Sequence, residues 1–463
     1  MVFSSVLFLF CFFVAAFLGY YLIRDNLKNY WLLAASVLFY AWGEPKNVVV
    51  ILLLIAVNFG LSLLIDRQED GRRKLALTAA VVLNLAVLTY YIYSAFFARI
   101  LLDVTGIDLT KSVLVCQAGM PVGVSFVVFQ ILSYQIDLYR KNITVQKNVL
   151  KLALYIMLFP QLIAGPIVRY SNVAQALDRR EITLERTYAG LKRFMIGFAK
   201  KVLLSNTVAV VADYAYGNIG VSGALSWLGA LCYMLQIYYD FSGYSDMALG
   251  MGEMAGFTFA ENFNFPYASK TMQEFWRRWH ISLSSWFRDY LYIPLGGNRK
   301  GKVRTYVNLL IVFFLTGLWH GASFNFIVWG LFHGFFLCLE RLGGKKILEK
   351  LPPVVGRLYT LLVVLFGWIF FRANTLGDAF AVIGTMLNPS LWNWSKVLPA
   401  ATAESVVFLA LALLFMFGIP RKIRDLFSGR LEPVKDVCIV GVFALAVLFA
   451  VGSDFSPFIY FQF

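Results

Sequence analysis

The sequence predicts an all-α, polytopic membrane protein, and three observations carry that expectation. Hydrophobic residues fill 60% of the 463 positions and charged residues only 14%, against roughly 45–50% and about 25% in soluble domains. Apolar runs able to cross about 30 Å of hydrocarbon follow one another along the chain. The Lys and Arg behind a net charge of +15 gather in the loops between alternate runs, as the cytoplasmic excess of basic residues requires. That charge therefore points to a membrane and not to nucleic acid. The expected architecture is about 10–12 transmembrane helices with added re-entrant and interfacial helices, built as one domain over residues 1–463.

The first run, 3–23, has no basic stretch ahead of it and no small-residue cleavage pattern, so it reads as an uncleaved helix. Arg24 and Lys28 place its end inside. Runs 30–42 and 48–65 return the chain to the basic stretch 67–74. Run 75–101 crosses to a loop holding Asp103, Asp108 and Lys111, and run 119–139 comes back to Arg140 and Lys141. The apolar stretch 152–168 is interrupted by Pro160, Gly165 and Pro166 and has basic loops on both flanks. It should dip in and return, a broken backbone that protein or water must cover. Runs 202–216 and 225–250 cross over an uncharged loop, and 266–304 then carries eight Lys and Arg against Glu274 and Asp289. Runs 306–319 and 324–339 lead to the basic loop 341–357; runs 358–371, 406–417 and 437–451 follow, with 421–435 inside. Twelve runs place both termini outside. The five cysteines (Cys11, Cys116, Cys232, Cys338, Cys438) are scattered without a Cys-x-x-Cys pair and read as small hydrophobes.

Chemistry is expected where histidine clusters. The chain has three, His280, His320 and His333, all within 54 residues, and imidazole is the side chain suited to proton transfer near neutral pH. Around His280, residues 272–290 place Met272, Phe275, Trp276, Trp279, Leu283, Trp286, Phe287 and Tyr290 at helical spacing, predicting one amphipathic helix. It either lies at the headgroups or folds into the protein, offering Arg277, Arg278 and Arg288 to an anionic donor. The following Gly-rich, basic turn 295–302 lacks P-loop spacing. His320 ends one apolar run before a turn, where an ionisable group is costly and by default functional. His333 serves packing as readily as chemistry, and Asp240 and Asp246 serve ion pairing as readily as catalysis; Asp289 adjoins Arg288. Separations of 40 and 13 between the histidines cannot form di-iron clusters, and a zinc site is the weaker alternative.

Several ordered motifs join these residues: 121–126 (Pro-Val-Gly-Val-Ser-Phe), 137–140 (Asp-Leu-Tyr-Arg), 159–166 (Phe-Pro-Gln-Leu-Ile-Ala-Gly-Pro), 239–246, 276–290, 291–297, 317–322 and the closing 457–463 (Pro-Phe-Ile-Tyr-Phe-Gln-Phe). Together they resemble the membrane-bound O-acyltransferases, with a core over about 119–342. The similarity is greatest to the bacterial subgroup that O-acetylates alginate and peptidoglycan, and D-alanyl-lipoteichoic-acid transfer proteins are near cousins. The resemblance implies that His320 matches the catalytic histidine. His280 matches a second active-site position that is His, Asn or Asp in different branches. It further implies a cytoplasmic acyl thioester, here acetyl-CoA, with no permanently bound cofactor or metal. The acceptor side would be an extracytoplasmic SGNH-type partner acyltransferase and a polysaccharide, at the bacterial cytoplasmic membrane.

The residues agree with transfer through the protein. Arms of 14–16 residues, roughly 21–24 Å of helix, put the His320 turn far from the basic donor face, which calls for a central tunnel. Arg277, Arg278 and Arg288 would bind the donor, His320 act as general base, and His280 orient the thioester or stabilise its oxyanion. Asp240, Asp246, Asp289 and His333 would support them. The competing readings are D-alanyl transfer from a carrier protein and a transporter or flippase for a lipid-linked sugar.

Overall fold

The computed structural model describes residues 2–116, 121–163, 165–418 and 431–452. Gly119 and Met120 at the start of the fifth run, Ala164, residues 421–430 of the last basic loop and the closing 457–463 motif lie outside the described residues. The described residues form helices and turns without a strand.

The described parts of the twelve apolar runs are mainly helical, and among the described residues seven helices are long and apolar enough to cross a membrane, or eight if one bent pair counts as a span. The seven are Asn47–Arg67, Asp70–Thr105, Leu184–Gly217, Lys302–His320, Phe324–Lys350, Pro353–Arg372 and Glu432–Gly452. The expected count falls because an apolar run is a weaker condition than a spanning helix. Lys28–Gly43 and Val124–Tyr139 have 16 residues each, about 24 Å of helix, short of the hydrocarbon thickness. Phe8–Leu22 is shorter still. Gly223–Met254 has 32 residues, but Gln236, Asp240, Asp246 and its tyrosines keep it polar.

The chain packs as two compact units. The first takes Met1–Phe194 with Met247–Ala260. Its helices Asn47–Arg67, Asp70–Leu88 and Val124–Tyr139 are joined by buried amides. Asn84 donates to Asn58 Oδ1 at 2.7 Å, and Gln135 donates to the Asn58 carbonyl at 2.8 Å. Such side-chain bonds hold helices together where hydrophobicity distinguishes them little from lipid. The interrupted stretch is a broken helix, Val149–Met157 then Phe159–Leu162, with the break at Leu158 and Pro160 in the first turn. Ser36 accepts the Phe159 amide at 3.0 Å, and the residues around the break are buried. Protein covers the irregular backbone, as the composition required.

The second unit takes Met195–Asp246 with Glu261–Phe463. Its centre is the hairpin Lys302–His320 and Phe324–Leu339. Small residues let these helices touch: a Cβ on Gly317 would meet the Phe326 carbonyl at 2.3 Å, and one on Gly330 the Phe313 carbonyl at 2.2 Å. Pro353–Arg372 packs beside the second arm. An amphipathic helix not anticipated from the sequence, Leu376–Leu387, follows, started by a capping box between Thr375 and Asp378.

Candidate active site

The segment expected to be one helix over 272–290 is two, Met272–Arg278 and Ile281–Phe287. The break falls on His280, whose backbone is left-handed at φ 43°, ψ 54°. Outside glycine this region is uncommon, and histidine, asparagine and aspartate are the residues enriched there. Asn262 holds the turn: its carbonyl accepts the Ile281 amide at 3.0 Å. Its Oδ1 accepts the Ser282 amide at 3.2 Å and the Ser282 hydroxyl at 2.9 Å. An amide oxygen can only accept, so the third contact, His280 Nδ1 at 3.2 Å, is a hydrogen donated by the ring. The His280 Nε2 then carries the lone pair, and it has no hydrogen-bond partner among the described residues. Burial holds this imidazole well below its ordinary pKa, with the His320 ring adding to the effect. With Nδ1–H directed at Asn262, the neutral ring presents an acceptor at Nε2.

Both halves of the segment bury their apolar residues, with Met272, Phe275, Trp279 and Leu283 inside the protein. Of the two sequence readings, the headgroup-bound helix gives way to the one folded into the protein.

His320 is the last residue of its helix and is half-buried, followed by Gly321 and the Ser323 cap of the next helix. Its ring meets Trp319 at 4.9 Å, Trp329 at 5.0 Å and Phe371 at 5.0 Å. Trp319 lies 6.2 Å from His280, and Trp329 lies 5.1 Å from His333. One aromatic cluster thus gathers all three histidines. His333 is fully buried against Trp276 at 5.1 Å, and a Cβ on Gly367 would stand 2.6 Å from its Nε2. Both its ring nitrogens are buried without a hydrogen-bond partner among the described residues, behind Trp276.

A cavity of about 360 Å³ opens beside this cluster. Arg277, Arg288, Arg341 and Lys345 line it, with Trp276, Phe313 and Thr316 further along its wall. Thr316 is one helical turn before His320, and Trp276 is 5.8 Å from Trp329, the ring against His320. The cavity therefore joins a cationic lining to a wall one residue layer from the half-buried histidine.

The basic residues divide. Arg277 and Arg288 line the cavity, whereas Arg278 does not: it pairs with Glu274 at 2.8 Å and donates to the Asn264 carbonyl at 3.2 Å. On a helix, neighbours in sequence point about 100° apart, so Arg277 and Arg278 cannot share a face. Arg288 is held by Asp289 at 2.6 Å, which accounts for that acid. Arg277 and Arg341 have no carboxylate partner among the described residues. Asp240 and Asp246 go to ion pairs, with Lys201 at 2.5 Å and Lys200 at 2.6 Å. Arg341, Lys345, Glu340 and Thr316 were not singled out by the sequence.

The sequence matches the family model described as MBOAT, membrane-bound O-acyltransferase family, over residues 3–376. It is 39% identical to the probable alginate O-acetylase AlgI of Pseudomonas putida, covering 100% of both chains. It is 31% identical to the peptidoglycan O-acetyltransferase of Helicobacter pylori, over 100% of this chain and 98% of that one. With the teichoic acid D-alanyltransferase of Bacillus subtilis the identity is 29%, over 48% of this chain and 61% of the other. A multi-pass helical protein with histidines gathered beside a cationic cavity, matched along most of its length, belongs to the membrane-bound O-acyltransferase family and is an acyltransferase.

Proposed function

We propose that this acyltransferase takes an acetyl group from cytoplasmic acetyl-CoA and passes it through the membrane for O-acetylation of an extracytoplasmic polysaccharide, alginate-like or peptidoglycan. The observation that carries the reading is the cavity with Arg277, Arg288, Arg341 and Lys345 at its lining and Thr316 one turn from His320. Phosphates of CoA suit guanidinium and ammonium groups, and the Trp276–Phe313–Thr316 wall suits the uncharged pantetheine arm. Four cations favour a nucleotide donor over the single phosphodiester of a carrier-protein arm.

In the proposed step His320 takes the proton of an acceptor hydroxyl as its oxygen bonds to the thioester carbon. The C–S bond then breaks, and the thiolate takes the proton from the imidazolium, leaving CoA and the O-acetyl ester. His280 orients the donor by accepting an N–H of the pantetheine arm at Nε2. The acceptor is a partner acyltransferase, SGNH-type as in the subgroup the sequence resembles, or the polymer itself. The membrane is the bacterial cytoplasmic one.

Donor binding separates the two neighbouring arginines. Arg277→Ala is expected to raise KM for acetyl-CoA about tenfold, the effect of losing one charge-assisted bond worth about 1.4 kcal/mol, with kcat little changed. Arg278→Ala, which removes a residue committed to Glu274, should stay within about twofold. Initial rates in detergent check both, and equal effects would remove the donor from this cavity.

Sidedness is tested in oriented vesicles. Cysteines placed at the exposed Val221 and Lys300 report orientation through an impermeant thiol reagent, since the Lys and Arg excess puts 266–304 inside. Labelled acetyl-CoA is supplied on the Lys300 side and an acceptor partner on the other. Label is expected across the membrane. Label confined to an acceptor beside the donor would overturn vectorial transfer.

A further inference from the structure

The cavity is lined by one carboxylate among its cations, Glu340, and this side chain is 3% exposed. It ends the hairpin arm that begins just after His320. Its two oxygens accept the backbone amides of Met272 at 2.5 Å and Gln273 at 3.0 Å, and the Tyr359 hydroxyl lies nearby. Met272 and Gln273 are the first two residues of the Met272–Arg278 helix, and Thr271 accepts the Glu274 amide at 3.1 Å. Amides at a helix start have no partner within the helix. Here three of them are met, two by a carboxylate from a helix 67 and 68 residues away in sequence.

No Arg or Lys lies within ion-pair distance of Glu340 among the described residues, so the backbone amides, not the neighbouring cations, claim its oxygens. Carboxylate bonds to helix N-terminal amides are charge-assisted and aligned with the helix dipole. The helix so held carries Trp276 and Arg277 into the cavity and ends one residue before Trp279 and the His280 turn. Its far end is fixed by Asn262, through the bonds at His280, Ile281 and Ser282. Glu340 supplies the other fixed end.

We infer that Glu340 is a positioning residue: it docks the Met272–Arg278 helix onto the hairpin that bears His320, and so sets Arg277 in the donor cavity and His280 in its turn. The inference rests on the acetyl-CoA reading for its kinetic consequence, while its structural part stands on the contacts alone.

The test uses the full chain in detergent with Glu340→Gln, which keeps the size but removes the charge and turns one amide-accepting oxygen into a donor. Amide hydrogen exchange over residues 272–279 is expected to speed up in Glu340→Gln and to recover in Glu340→Asp. In the same folded, monodisperse protein, kcat/KM for acetyl-CoA should fall about tenfold to a hundredfold, the scale of a displaced positioning element, with partial recovery in the Asp variant. Tyr359→Phe removes the hydroxyl beside Glu340 while leaving the carboxylate in place, and should give a smaller change of the same kind; it serves if Glu340→Gln does not fold. Unchanged exchange over 272–279 would overturn the docking. Faster exchange with unaltered kcat and KM per folded molecule would overturn the positioning role. A wild type that ignores acetyl-CoA would sink the donor assignment instead, and the exchange comparison would still decide the docking.

Discussion

Replacing His320 with alanine is expected to abolish acetyl transfer while leaving a folded, membrane-inserted protein. The ring ends a membrane helix, is half-buried, and stands one helical turn from the Thr316 wall of the cationic cavity. Loss of a positioned general base removes about 10²–10⁴ of the rate, enough to bring a slow acyl transfer to background. The fold should survive because the hairpin is held elsewhere, by the close contacts at Gly317 and Gly330 and by the Asn325 bond to the Ala373 carbonyl at 2.6 Å. Truncation does remove ring contacts to Trp319, Trp329 and Phe371, so His320→Asn belongs beside it as a polar replacement that loses less volume. Labelled acetyl-CoA turnover, read with the gel-filtration profile, is the measurement. Near-normal turnover in either variant would remove His320 from the reaction.

The fold class was legible in the sequence because bilayer chemistry acts on composition, and the described part of every apolar run is mainly helical. Span number was less so. Runs such as 30–42 are apolar enough to be noticed, but the helix they form is too short to cross by itself, and no local pattern separates the two cases. The Leu376–Leu387 helix is too short to stand out as an apolar run, although its start is written in Thr375-x-x-Asp378, a capping signature.

Within the site, the histidine cluster was visible because histidine is so rare in this chain. The break at His280 was hidden for a physical reason: Met272, Phe275, Trp279, Leu283 and Trp286 keep helical spacing across it, since both short helices bury the same side of the chain. A left-handed residue leaves little trace in periodicity. Its trace lies in residue type, as histidine tolerates that backbone, and the signal is weak in one sequence. Arg341, Lys345 and Glu340 lie more than 60 positions beyond Arg277, and only the hairpin brings them to the same cavity. Asp240 and Asp246 are as fit for ion pairing as for catalysis by sequence, and in the structure the adjacent Lys201 and Lys200 pair with them.

Replacing His280 with alanine should lower turnover by about 10²-fold, the scale of a lost positioning contact. Two effects are combined in that variant. The imidazole acceptor at Nε2 disappears, and a residue less suited to φ 43° must hold the turn, at roughly 1–2 kcal/mol. His280→Asn separates them. Asparagine accepts the left-handed backbone, so the turn and its Asn262 brace should persist, while the imidazole is gone. The family resemblance places His, Asn or Asp at this position, and these are the non-glycine residues that favour this backbone. The expected order is wild type, then Asn, then Ala, with kcat falling and KM for acetyl-CoA moving less. A rise in KM alone would make His280 a part of the donor cavity wall, alongside Trp276 and Arg277. Full activity in His280→Asn would mean that the position contributes its backbone turn and no imidazole chemistry.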